Sequence, residues 1–304
     1  NTMLEVYREF CENILAMPVI MGEKSADERF PGAVQTLCIE AMMQDRKALQ
    51  AGTSHYLGQN FAKAAGIQFA AENGSTEFAH TTSWGVSTRL IGGLIMIHGD
   101  DDGMRVPPRV SPKHCVVIPV IPKEESRGAV LEYADKVQRA LSGALYCGRQ
   151  VVSTVDCRDM RGGDKSWQWI KRGIPVRIEV GPRDIEAGKV VLFRRDRGHK
   201  EKLELTLAEL AGCLPVILDE IQQNMFEQAK AHRDQNIINN VNNFEDFKRI
   251  FTPQNSEKPE VHGGFVRAKW CEDPATVDLL ADLKVTIRCL PLEQSGTEGK
   301  CVLT

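Results

Sequence analysis

The residues of this chain best able to do chemistry fall in two short stretches. Gln50, Thr53, Ser54 and His55 crowd hydrogen-bonding groups into six positions, and Gly52 lets a ligand approach the backbone. About thirty residues on, Thr82-Ser-Trp-Gly-Val-Ser-Thr-Arg89 breaks a strand-like run at Gly85 and leads into the apolar Leu90–Ile97. An arginine on the first turn of that helix, pointing back at the Gln50–His55 loop, suits a phosphate or the face of an adenine ring. Spacing alone allows equally a buried Arg89 paired with a carboxylate. A single His in a polar loop is by default exposed or structurally bonded, and no Cys or second His at ligand spacing makes His55 a metal ligand.

The elements around these residues follow from periodicity. Residues 1–17 have helical spacing that ends at Pro18, and 22–32 read as a loop. Residues 33–44 read as a strand on the floor of an antiparallel sheet, with Glu40 either a buried ligand group or, as the better reading, an outward-facing carboxylate. A short strand leads to the Thr53–His55 loop, and a helix is expected over 56–65. Asn73-Gly74 marks a hairpin over 66–81, and an apolar helix over 86–98 follows. Asp100, Asp101 and Asp102 could attract Mg²⁺ but read better as solvated loop carboxylates.

From His114 the pattern alternates strand and helix: strands at 115–121, 150–155, 175–180 and 190–193, helices at 123–145 and 167–172. That alternation predicts a compact α/β domain with a mixed sheet. Its basic content is high, with Arg158, Arg161, Lys165, Lys171, Arg172, Arg177, Arg183, Lys189, Arg194, Arg195, Arg197 and Lys200 interleaved with Trp167 and Trp169. A solvated face accounts for several of these; phosphate neutralisation and base stacking would account for a cluster. Arg177 and Glu179, two apart on a strand, share a face and offer a donor and an acceptor for a base edge. A helix over 205–233 opens with a capping box, Thr206 to Glu209, and Pro215 should kink or divide it. A short helix over 244–251, a strand from Gly263, a helix over 275–283 and a strand over 285–289 complete the reading.

With 304 residues, 42% hydrophobic and 26% charged, the chain can hold two domains and a small third. A net charge of -3 does not by itself indicate nucleic acid. The nine cysteines form no CxxC pair and there is no signal peptide, which fits reduced thiols in a cytoplasmic protein; no apolar run would span a bilayer.

Three stretches carry a family resemblance: Gln50-Ala-Gly-Thr-Ser-His-Tyr-Leu-Gly-Gln-Asn-Phe-Ala-Lys63, Thr82-Ser-Trp-Gly-Val-Ser-Thr-Arg-Leu-Ile-Gly92 and Gly173-Ile-Pro-Val-Arg-Ile-Glu-Val-Gly-Pro-Arg-Asp184. In that order they resemble the archaeal/eukaryotic-like type of prolyl-tRNA synthetase, a class II aminoacyl-tRNA synthetase. The resemblance implies the C-terminal part of an antiparallel-sheet catalytic domain over 1–111. An α/β anticodon-binding domain with a mixed sheet would cover 112–212, and a connecting helix with a small α+β C-terminal domain 213–304. It implies ATP-dependent activation of proline to prolyl-adenylate and transfer to the 3′ end of tRNA(Pro), with Mg²⁺ accompanying ATP. Proline would be held by Phe30, His55, Ser83 and Gly85, and ATP by Gln50, Thr53, Thr88 and Arg89, the last as the motif 3 arginine and catalytic residue. Pro31 stands where an Ala is commoner in the family. The anticodon would be read at Arg177, Glu179 and Arg183. A cytoplasmic homodimer without membrane contact is expected, in which motif 1, the motif 2 arginine and the amine-recognising carboxylate lie upstream of Asn1. Relatives often hold zinc through close cysteine pairs; Cys271, Cys289 and Cys301 lack such partners, so zinc is not expected and buried unpaired thiols are. The alternative function is a non-catalytic, tRNA-binding synthetase-like fragment, or another ATP-dependent ligase.

Overall fold

The structure is a computed structural model, described here for all residues except 254–262, 295 and 297. It divides into two compact units, one of residues 1–13, 17–97 and 230–304, the other of 14–16 and 98–229. The C-terminal segment belongs with the first unit because one of its strands completes that unit's sheet.

The first unit begins with α1 (Thr2–Glu9), prolonged by a π-helical turn, then β1 (Val19–Glu23), β2 (Gln35–Met42) and β3 (Ala48–Gly58). After α2 (Asn60–Ala65), the hairpin β4 (Gln68–Ala70) and β5 (Thr76–Phe78) turns at Asn73-Gly74, with Gly74 at φ +82°. Then come β6 (Thr81–Gly85) and α3 (Arg89–His98). Two expectations are corrected here. Thr53–His55 lie inside the eleven-residue strand β3 rather than in a loop. The helix after them starts at Asn60, because Tyr56 and Gly58 still pair with β6.

The second unit contains β7 (Cys115–Pro119), α4 (Arg127–Leu141), the two-residue hairpin strands β8 (Leu145–Tyr146) and β9 (Arg149–Gln150), and β10 (Ser153–Val155). The single strand expected over 150–155 is thus two pieces serving two sheets. It continues with α5 (Gly162–Lys171), β11 (Val176–Val180), α6 (Pro182–Ala187), β12 (Lys189–Arg194), β13 (Lys202–Thr206) and α7 (Leu207–Gln235). The sheet runs β10-β7-β11-β12-β13, parallel across the first three strands and antiparallel beyond, which is the mixed sheet expected. Val130, Ala134, Val137 and Leu141 of α4 and Leu210, Leu214, Leu218 and Ile221 of α7 share a core with alternate residues of β7, β11 and β12. Val116 and Ile118 face the other way onto Trp169 and Ile174. A central strand buried on both faces reads as a continuous apolar run, as β7 does. The capping box is present: Thr206 N donates to Glu209 Oε2 at 3.0 Å, and Glu209 N donates to Thr206 Oγ1 at 3.3 Å. Pro215 does not divide α7, which is assigned as one helix of 29 residues. The cost of an interior proline, ~3 kcal/mol, is offset by several buried side chains worth ~1.5–3 kcal/mol each.

Beyond α7 the chain returns to the first unit through β14 (Ile237–Ile238), α8 (Phe244–Phe251), β15 (Phe265–Val266), α9 (Pro274–Asp282) and β16 (Leu290–Pro291). Val241, Phe247, Leu280, Val302 and Leu303 form a small core. The strand expected at 285–289 is not formed; the chain instead pairs one step later, Leu290 with Glu23 and Pro291 with Gly22. The antiparallel sheet therefore runs β16-β1-β2-β3-β6. Gly22 permits this docking, since a Cβ there would lie 2.5 Å from Cys289 Cβ and 2.7 Å from the Leu290 carbonyl oxygen.

Candidate active site and nucleic-acid interface

One face of the antiparallel sheet gathers most of the residues singled out for chemistry. Cross-strand pairing sets Thr36 opposite His55, Cys38 opposite Thr53, His55 opposite Ser83, and Thr53 opposite Gly85. Paired residues share a face. Gln50 would alternate onto the opposite face from Thr53, but a bulge opposite Ile39 and Glu40 inserts one residue and returns it to the same side. A bulge of this kind leaves no signature in composition, so sequence reasoning put these residues in a loop.

At one end of this face Phe30 stands 5.1 Å from the His55 ring and 6.2 Å from Phe61, centroid to centroid. His55 Nδ1 shares a 2.9 Å hydrogen bond with Thr36 Oγ1, and burial lowers its pKa from the usual histidine value. A neutral imidazole packed between an aromatic ring and a hydroxyl shapes a pocket rather than carrying charge. Ser83 and Gly85 are exposed along β6, and nothing would meet a Cβ at Gly85 within 4 Å.

Arg89, the first residue of α3, is exposed and directs one guanidinium nitrogen at the Gln50 carbonyl oxygen, 3.3 Å away. The possibility of a buried Arg–carboxylate pair is thereby replaced by a fork held loosely on backbone, with its other donors free to meet an anion or a ring. Thr88 is also exposed beside it, and Ser87 Oγ accepts from Arg89 N at 3.3 Å. The structure thus brings Phe30, His55 and Ser83 together, and sets Arg89 against Gln50.

Glu40 is corrected. It is 1% exposed, and its Oε1 lies 3.0 Å from Nζ of Lys24, itself 2% exposed. Its Oε2 takes two guanidinium bonds from Arg288, at 2.8 and 3.2 Å, and Lys24 Nζ also donates to the Arg288 carbonyl at 2.6 Å. This ionic triad occupies the middle of the same sheet face and was missed in the sequence; the one available signal was a carboxylate between Ile39 and Ala41. A cavity of about 660 Å³ in this unit is lined by the triad's Glu40 and Arg288 with Phe247, Trp270 and Lys284, and by none of the residues expected to hold proline.

In the second unit much of the basic content is internally paired. Arg158 clamps Asp156 at 2.8 and 2.6 Å, and Asp156 also accepts from Trp169 Nε1 at 2.8 Å. Chiefly through Arg158, its carboxyl is held well below the usual carboxylate range. Lys165 is buried on the Asp156 carbonyl. Arg194 pairs with Asp196 and Glu220, and Arg195 takes both oxygens of Asp100. Asp100, expected as a solvated loop carboxylate, is exposed but paired with Arg195. Trp169 is a structural residue; Trp167 remains exposed, with Lys171 Nζ 5.8 Å from its ring.

Arg177 is 3% exposed, with its guanidinium 5.4 Å from the Phe193 ring and no hydrogen-bond partner at Nε. It lines a polar cavity of about 280 Å³ together with Asp100, Arg105, Arg194, Arg195 and His199. Glu179 follows on the same strand face, whereas Arg183 is exposed in the first turn of α6, past the other end of β11. The three residues expected to read the anticodon do not form one cluster.

Residues 114–215 match the family described as "Anticodon binding domain". The chain is 56% identical over 303 residues to the proline–tRNA ligase of Protochlamydia amoebophila, covering 100% of this chain and 60% of that protein. It is 51% identical over 302 residues to that of Bdellovibrio bacteriovorus, with 99% and 60% covered. Among solved structures, prolyl-tRNA synthetase of Cryptosporidium parvum complexed with halofuginone and AMPPNP superposes with TM-score 0.86 at 34% identity, over 99% of this chain and 60% of that one. The same enzyme complexed with L-proline and AMP gives 0.84 at 35%, over 99% and 62%. Along its whole length, in sequence and in fold, the chain is similar to prolyl-tRNA synthetases, and it spans about 60% of the length of the relatives it matches.

Proposed function

We propose that this chain is a portion of a proline–tRNA ligase that activates proline with ATP and passes the prolyl group to the 3′ end of tRNA(Pro). The observation that carries this reading is the sheet face on which Phe30, His55 and Ser83 converge while Arg89 reaches the Gln50 backbone. Phe30 and His55 give the proline ring an apolar wall, and the open backbone at Ser83 and Gly85 offers the amino acid polar groups. Gln50, Thr53, Thr88 and Arg89 contact the nucleotide, with the Arg89 guanidinium laid on the adenine.

In the first step a proline carboxylate oxygen bonds to the α-phosphorus of ATP, and the bond to the bridging oxygen breaks to release pyrophosphate. In the second, the terminal ribose hydroxyl of the tRNA attacks the prolyl carbonyl carbon and displaces AMP. Both steps require alignment and charge complementarity more than a proton-transferring side chain. This suits a site whose imidazole is kept neutral by burial. Mg²⁺ would arrive with the phosphates and screen their charge. Among the described residues no group of three or more His, Cys, Asp or Glu gathers to hold a metal, so none is assigned to it.

The tRNA is bound through the second unit, at Arg177, Glu179 and Arg183, with Trp167 available for stacking. The full-length protein acts as a homodimer in the cytoplasm. Among the described residues no helix is long and apolar enough to cross a membrane. A second reading, tRNA binding without adenylation, is favoured by the match of 114–215 to an anticodon-binding family.

The test is proline-dependent ATP–pyrophosphate exchange, run on this chain and on a version extended upstream to the full length of its relatives. Exchange in the extended protein, lost by 100-fold or more in Arg89→Ala, is the expected result. Unchanged exchange in that variant would reject the role of Arg89. No exchange in either protein, with tRNA still bound, would leave the second reading.

A further inference from the structure

The C-terminal segment holds a pair of thiols with no part in aminoacylation as proposed. Val302 N donates to the Lys269 carbonyl at 2.8 Å, which lays residues 301–304 alongside 269–272. Cys271 Sγ then lies 3.8 Å from Thr304 Oγ1, and Leu303 N donates to Cys301 Sγ at 3.4 Å. Cys301 is thereby set on the segment facing Cys271, near enough for Cys271 to lower the pKa of its thiol. Both are free thiols, Cys271 exposed and Cys301 half-buried.

We propose that Cys301 and Cys271 are a redox-active dithiol, a modification site where a small disulfide such as oxidised glutathione is reduced as an intrachain disulfide forms. The Cys301 thiolate attacks one sulfur of the small disulfide and displaces its first thiolate, leaving a mixed disulfide. Cys271 then gives up its proton, attacks Cys301 Sγ and displaces the second thiol. Two protein thiols are oxidised and one small disulfide becomes two thiols.

The surroundings favour Cys301 as the attacking group. Burial opposes its ionisation, but hydrogen bonds from Thr304, Leu303 and Cys271 prevail and bring its pKa down to about 7. A thiol that ionises more readily than usual beside an exposed second thiol is the arrangement expected of a sensor with a resolving cysteine. The other thiol contact, between Cys38 and Cys289, is different in kind: Cys38 is fully buried and its pKa is raised, first by the Cys289 contact and then by burial.

The experiment exposes the chain at pH 7 to oxidised glutathione, quenches with acid, alkylates the remaining thiols and maps the cysteine peptides by mass spectrometry. The expected result is a linked pair of peptides carrying Cys271 and Cys301, formed while Cys38 and Cys115 stay reduced. Cys301 should react about tenfold faster than the exposed Cys147. In Cys271→Ser the mixed disulfide should persist on Cys301. Glutathione landing on Cys147 and Cys157 as fast as on Cys301, with no 271–301 link in the unaltered chain, would overturn the proposal. So would a pair resistant to alkylation until a chelator removes a bound zinc ion. The linkage is read in the unaltered chain, so it does not depend on how a variant folds.

Discussion

Replacing Glu40 by Leu tests the ionic triad on the sheet face. The substitution removes the sole carboxylate of the triad and leaves the ammonium of Lys24, 2% exposed, facing the Arg288 guanidinium. Breaking a buried pair by deleting one partner costs ~3–5 kcal/mol, because the remaining charge has neither water nor a counter-ion. Arg288, about a third exposed, can turn to solvent and should add little. Cys11 offers a direct reading of the first unit's opening: it is fully buried, and burial pushes its thiol up to about 12. It should therefore be alkylated through opened molecules. At ~1.4 kcal/mol per tenfold, Glu40→Leu should speed alkylation of Cys11 by about two to three and a half powers of ten. Adding Lys24→Met should recover most of that, since an apolar pair of similar volume is close to neutral. A rate changed by less than about threefold in Glu40→Leu would mean that Lys24 finds water at no cost, and would refute the argument.

Three smaller perturbations follow. Phe30→Ala removes the ring beside His55 and should raise the KM for proline about tenfold in the exchange assay of the full-length protein, leaving the KM for ATP alone; equal changes in both would argue against a proline-side role. His98 is buried with Nε2 on the Leu15 carbonyl, and burial lowers its pKa to about 4. Its ordinary value applies in the unfolded chain, so the unfolded state binds the extra proton between about 6.5 and 4. Stability of the second unit should then fall as pH drops through that window, by on the order of 3 kcal/mol, and urea midpoints should show a flatter slope in His98→Gln. Thr206→Ala removes the cap of α7 and should cost about 1 kcal/mol in urea unfolding, while Thr206→Ser should cost less than half of that.

Local features are legible in the chain's own residues. Thr206 and Glu209 announce the start of α7, Asn73-Gly74 the turn between β4 and β5, and the spacing of Val130, Ala134, Val137 and Leu141 the buried face of α4. Each rests on residues within a few positions of one another, where periodicity and turn chemistry carry the signal. The motif stretches likewise carry the family resemblance, because each is a run of neighbouring residues. Partners brought from far away are not legible in this way. Glu40 meets Arg288 across 248 positions, and Asp100 meets Arg195 across 95, so neither a buried carboxylate nor an internally neutralised arginine can be told from a solvated one by its neighbours in sequence. Gln50 joins Thr53 and His55 on one face only because a bulge against β2 shifts the register. The strand at Leu290 exists only because Gly22 leaves room for Cys289 at the edge of β1. Most elements and the family resemblance are thus set by local pattern, whereas charge pairing, register and the closing of the first sheet arise when distant segments meet in the folded chain.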